Sequence, residues 1–152
     1  MKRICIVATG DRNADWQTWR QIVREALMSP DIIGRECILI HGDSTPTQKG
    51  MGIDKIAGKV AGMHGVSVMP IPAMWDEYTP RGAAGPARNR DMLKMAEIME
   101  RHGYEVRVYA FHDDFWKSTG TKNCVMQARD RSLPVTLFMT NGKTADLSEE
   151  ED

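Results

Sequence analysis

Apolar positions along the chain switch between two periods, and the switches divide it into alternating strands and helices. Arg3 to Thr9 (RICIVAT) is an unbroken β-branched run that stops at Gly10, the pattern of a strand buried on both faces. Asp15 then stands as an N-cap before a stripe of Trp16, Trp19, Ile22, Val23, Ala26 and Leu27, closed by Pro30. Cys37 to His41 (CILIH) is a second buried strand. Ile53 to Met63 carries a helical stripe with Gly65 just beyond its end, and Val66 to Ile71 (VSVMPI) is a third strand. Pro86 sits where a first helical residue belongs, in front of a helix running to about His102 that Gly103 ends. Glu105 to Phe111 (EVRVYAF) is a fourth strand, a helix follows to about Arg131, and Pro134 to Phe138 (PVTLF) is a fifth.

Five strands alternating with four helices predict an α/β fold: a Rossmann-like, doubly wound, mainly parallel five-stranded sheet with helices on both faces. One domain spans residues 1–140, and 141–152 read as an acidic flexible tail. In such sheets ligands bind beyond the carboxyl ends of the strands, where strand order reverses. The unusual residues fall in those loops.

Gly10 after the first strand lets the backbone approach a phosphate or ribose, and Arg12 adds a cationic fork; any tight turn would also use the glycine. Gly50-Met51-Gly52-Ile53-Asp54 opens the second helix, where bared amides would hold an anion and Asp54 a hydroxyl. Equally, Asp54 only complements the helix dipole. Arg88 and Asn89 fall in the first turn of the third helix, where cations oppose the macrodipole by roughly 0.3–1 kcal/mol. An external phosphate relieves that conflict, as would internal pairs with Asp91 or Asp76. Ser118, Thr119, Gly120 and Thr121 offer hydroxyls and amides at a helix N-terminus, suited to phosphate or to plain capping. Trp75 and Tyr78, in the Pro- and Gly-rich stretch 72–85, either stack on a base or cover the sheet end. His112, Asp113 and Asp114, with Asp43, form at most a weak cation site, and a solvated turn is the preferred reading. His41 and His64 read as structural, and no Ser/His/Asp arrangement or G-x-S-x-G motif occurs.

Twenty Lys+Arg against 21 Asp+Glu give a net charge of −1, which argues against duplex nucleic acid as a partner. Residues 141–152 hold five of the acids and one Lys, so the body carries 19 basic and 16 acidic residues, an excess of +3 that suits a small anionic ligand. Cys5, Cys37 and Cys124 form no C-x-x-C, and free thiols in a reducing compartment are expected. No stretch approaches the ~20 apolar residues of a membrane span, and a cytoplasmic location follows as an expectation. No metal or cofactor is called for. The eleven Met residues follow apolar helix faces and read as core filling.

Taken in order, VATGDR, IHG…GMGID, PAMWDEY…GAAGPARNRDML, VYAFHDD…STGTKNCVMQA and LPV resemble the YspA/YpsA-related branch of the SLOG superfamily, from Ile4 to Val135. Its small stand-alone members are associated with phages and mobile elements. The resemblance implies a Rossmann-like fold that binds nucleotides or nucleotide-derived ligands, commonly as a homodimer, and a kinship with the lonely-guy phosphoribohydrolases. Those enzymes cleave the N-glycosidic bond of nucleoside 5′-monophosphates, using a P-G-G-x-G-T-x-x-E motif and an Arg on the preceding helix. By motif position Arg88 stands for that Arg, and Gly120-Thr121 for the phosphate-binding G-T. His112, Asp113 and Asp114 replace the P-G-G region, and Cys124 occupies the position of the catalytic Glu. A thiol neither stabilises an oxocarbenium-like centre nor activates water as a carboxylate does. Hydrolysis would then require Asp54 or Asp114 in its place. Three readings follow: a nucleotide-ligand sensor or sequestering protein, a phosphoribohydrolase-like enzyme, and a non-catalytic interaction protein.

Overall fold

β1 (Arg3–Gly10) runs through the middle of the sheet because its side chains serve two cores at once. In the computed structural model, which describes residues 2–148, Ile4, Ile6 and Ala8 point into one apolar cluster and Cys5 and Val7 into another. That alternation is the period of a strand applied to a run with no polar member. The first cluster is closed by α1 (Trp16–Leu27) and α2 (Ile53–Met63), the second by α3 (Ala84–Arg101) and α4 (Gly120–Asp130). Helices therefore cover both faces.

β2 (Cys37–His41) and β3 (Ser67–Pro70) lie on one side of β1, and β4 (Tyr104–Phe111) and β5 (Val135–Phe138) on the other, all parallel. A sixth strand, β6 (Thr144–Asp146), pairs antiparallel with β5, giving the order β3-β2-β1-β4-β5-β6. The sheet has six strands, not the five expected. β6 lies inside the stretch read from sequence as a frayed tail, and buried Leu147 just after it donates its N–H to Val135 O at 2.9 Å. A three-residue edge strand needs only backbone pairing and leaves almost no periodic signal. Residues 149–152, the rest of the expected tail, lie outside the described residues.

Local chemistry accounts for the helix ends. Asp15 caps α1 by accepting the Thr18 N–H at 2.9 Å, worth about 1 kcal/mol. α3 starts at Ala84, two residues ahead of Pro86, which occupies the third helical position. Its missing N–H costs nothing there, since the first four helical amides have no partner within the helix. Among the described residues no helix is long and apolar enough to cross a membrane.

Candidate functional site

Strand order reverses between β1 and β4, and the loops beyond their carboxyl ends diverge around a cavity of about 500 Å³. Thr9 and Gly10 at the end of β1 form its floor, Asp54 on α2 one wall, and the first turns of α3 and α4 the other. Neither of those two helices has a side-chain N-cap. Ser118 Oγ donates to Phe115 O at 2.6 Å and accepts the Lys122 N–H at 3.2 Å, which leaves the Gly120 and Thr121 N–H groups with no acceptor among the described residues. They border the cavity with the positive end of the α4 dipole behind them.

Arg88 is half-buried and faces the same space. Its Nη1 donates to Gly42 O at 2.7 Å and its Nε to Asn89 Oδ1 at 2.9 Å. Both acceptors are neutral, and no ion pair joins the guanidinium to a carboxylate among the described residues. The internal partners considered from sequence are occupied elsewhere: Asp91 by Arg90 at 3.4 Å, Asp76 by Arg81 at 2.6 Å. With the helix starting at Ala84, Arg88 opens its second turn rather than its first, so the macrodipole conflict inferred from sequence is weaker than expected. Exposed Arg12 and half-buried Trp75 also line the cavity, and no ion pair joins Arg12 to another described residue.

Asp54 is 7% exposed, with Oδ2 accepting the Ser44 N–H at 3.1 Å. Below it, His41 Nδ1 accepts the Asp43 N–H at 2.9 Å, a bond only an unprotonated nitrogen can take. Burial holds the His41 pKa below its ordinary value. These two contacts fix the loop after β2, which carries both Gly42 O and Ser44.

Four of the expected site residues have a different setting from the one their sequence positions suggest. Gly52 does not border the cavity; its φ of +83° suits only glycine, and its amide donates to Ala14 O at 3.0 Å while the Ile53 amide donates to Asp11 O. The segment 11–14 therefore takes up the Gly52 and Ile53 amides at the α2 N-terminus. Asn89 borders the cavity but is 2% exposed, and its polar atoms are engaged: Nδ2 donates to Gly120 O at 3.3 Å and to Asn123 Oδ1 at 3.0 Å, and Oδ1 takes Arg88. It joins α3 to α4 and holds Arg88 in place. Ser118 lines the cavity with its hydroxyl already committed to the turn, so its role there is to shape the α4 start. Asp114 is exposed and outside the cavity, because its amide turns back to His112 Nδ1 at 2.9 Å. Of the two carboxylates considered for hydrolysis, only Asp54 borders the cavity.

Asp113 accepts from Thr140 N and Oγ1 at 2.8 and 2.6 Å, a loop-to-loop tie. Cys124 is fully buried, and burial pushes its thiol up to about 12 despite a hydrogen bond with Thr9. Near neutral pH it stays a protonated packing group. The sequence reading missed Asn123, whose Oδ1 gathers Asn89 and Gln127 from two helices, and the cavity-lining Asn13 and Ser44; His112, weighed only as part of a weak cation site, also lines the cavity. Asn123 stands beside Cys124 with no local pattern to mark it. The chain matches no model of a known protein family and no curated protein, so the resemblance to the SLOG superfamily rests on its motifs and their order.

Proposed function

We propose that the protein binds a nucleotide or nucleotide-derived ligand in this cavity, as a sensor or sequestering protein on a Rossmann-like fold. The observation that carries the reading is Arg88: a hydrogen-bonded guanidinium with only neutral partners, bordering the same cavity as the free Gly120 and Thr121 amides at the start of α4. An anion placed between them gains charge-assisted bonds from Arg88 and backbone bonds from Gly120 and Thr121. Arg12 adds a second positive charge, Asp54 suits a ribose hydroxyl, and Trp75 offers a ring face. The strand order β3-β2-β1-β4-β5-β6 agrees with the fold that the resemblance implies.

Titration calorimetry with nucleoside mono-, di- and cyclic phosphates tests this. Saturable binding that weakens in Arg88→Ala is expected; a folded protein that binds none of them overturns the reading and favours a protein partner instead.

Asp54 supports a second reading. A nearly buried carboxylate on the cavity wall is the group that N-glycosidic hydrolysis demands, to activate water and to face a cationic sugar. Release of free base from a nucleoside 5′-monophosphate, abolished in Asp54→Asn with binding retained, would establish it. Binding without release leaves the sensor role.

A further inference from the structure

Beyond Arg88 lies a second cavity of about 290 Å³, and it shares Arg12, Ser44, Trp75 and Arg88 with the first. We propose that this pair of chambers takes a two-part ligand, a nucleoside diphosphate sugar, with its phosphate bridge at the shared arginines, the nucleoside in the larger chamber and the sugar in the smaller. The inference rests on the anion reading above and narrows it.

Three features of the smaller chamber carry it. Its charged members beyond the shared arginines cancel: Lys55 Nζ is paired with Asp43, so the chamber adds no net positive charge of its own. A further phosphate would find no unpaired cation there. It does offer the hydroxyls of Ser44 and Thr45 and both ends of that ion pair as donors and acceptors, with Pro46, Pro72 and Ala73 as short apolar walls. A small hydroxyl-rich ring fits that open lining, which offers donors and acceptors to its hydroxyls beside short apolar surfaces. Finally, Asp43 is preset: it sits at φ +51°, with its N–H on His41 Nδ1 and its carboxylate on Lys55. Such presetting lowers the ordering cost of binding.

The position of the two arginines decides between a monophosphate and a bridged ligand. Arg12 and Arg88 stand on the border of both chambers. A monophosphate ends there and leaves the smaller chamber to water, whereas a pyrophosphate continues through and meets both cations on its way.

Calorimetry with matched series tests the proposal: AMP, ADP and ADP-glucose; UMP, UDP and UDP-glucose; GMP, GDP and GDP-mannose. In at least one series the diphosphate sugar should bind tenfold or more tighter than both its monophosphate and its diphosphate. Ala73→Phe, which fills only the smaller chamber, should erase that gain while leaving monophosphate affinity within twofold. Thr45→Val, a milder change, should remove part of the gain and guards against misfolding of the bulkier variant. Equal or tighter binding of the monophosphate overturns the proposal but leaves the anion reading standing. A diphosphate that binds as well as its sugar conjugate also overturns it, since the second phosphate alone would then explain the gain. Absence of binding in every series overturns both.

Discussion

Two arginines on this fold sit in opposite circumstances. Arg107 on β4 meets Asp31 at 2.7 Å, Glu105 at 2.8 Å and the Tyr109 hydroxyl at 3.2 Å, and Arg35 reaches the same Glu105. Arg88 meets a backbone carbonyl and an amide. Both are held by several hydrogen bonds and are partly buried. Only the first forms ion pairs among the described residues, and its carboxylate partners register the pairing: the Arg107 hydrogen bond holds Glu105 below its ordinary pKa, and Ser29 followed by Arg107 does the same for Asp31. An arginine matched to acids serves the fold. One fixed by neutral acceptors at a cavity wall keeps its charge for something that arrives later.

The sharpest test removes each in turn. Arg88→Ala should weaken anion binding about 10- to 100-fold, the effect of losing charge-assisted bonds of about 1.5–3 kcal/mol, with little change in Tm. Titration calorimetry beside thermal melting reads both. Arg107→Ala should leave affinity untouched, and a matching loss in both variants would erase the distinction.

Gly42→Ala asks the same question without deleting a charge. A Cβ on Gly42 would overlap the Arg88 guanidinium, the movable end of a long side chain, so the arginine should swing aside at small cost to stability. Affinity should fall about tenfold, or about 1.4 kcal/mol. Unchanged affinity would mean that the observed Arg88 pose is not the one that binds.

The loop that supplies Gly42 O depends on a neutral His41, which gives the site a pH signature. Its folded pKa lies below the ordinary 6.5, so on acidification the unfolded chain takes up the proton first and stability falls as pH drops below 6.5. Urea unfolding between pH 7 and 5 should show that decline, and His41→Gln should flatten it.

The smallest effect belongs to the paired cluster. Arg107→Ala should cost under about 1 kcal/mol, because Asp31 and Glu105 are well exposed to screening water. Glu105 has its pKa lowered in the fold, so its contribution is complete above 4.5 and disappears as pH falls through the lowered value. The wild type and the variant should therefore converge in stability on acidification below pH 4.5.

The strands and helices were legible wherever one period persisted. β2 and α2 match their expected limits, and β1 and β5 differ by one residue, because CILIH and the Ile53, Ile56, Ala57, Val60 stripe each answer to one buried environment. β6 escaped because Thr144–Asp146 is short, lies at an edge and is stabilised by backbone bonds that any sequence can make.

In the site, Gly10, Arg12, Asp54, Trp75, Arg88, Gly120 and Thr121 do border one cavity, as the rule about strand ends suggests for residues in those loops. The sequence does not reveal which polar groups are already satisfied. Asn89 looks like a ligand contact until Asn123 and Gly120, more than thirty residues away, are found bonded to it, and Gly52 looks bare until the 11–14 segment folds over it. Partners so distant along the chain have no local signature.

The short antiparallel strand also bears on where the chain can safely be shortened. Cutting after Thr140 looks harmless by composition, yet it would strip the outer neighbour from β5 and leave its backbone donors and acceptors facing solvent beside Val135 and Leu137. A molecule trimmed in that way would present a raw sheet margin to every other copy, and self-association should follow from the removal of residues that lie away from the cavity at the strand ends.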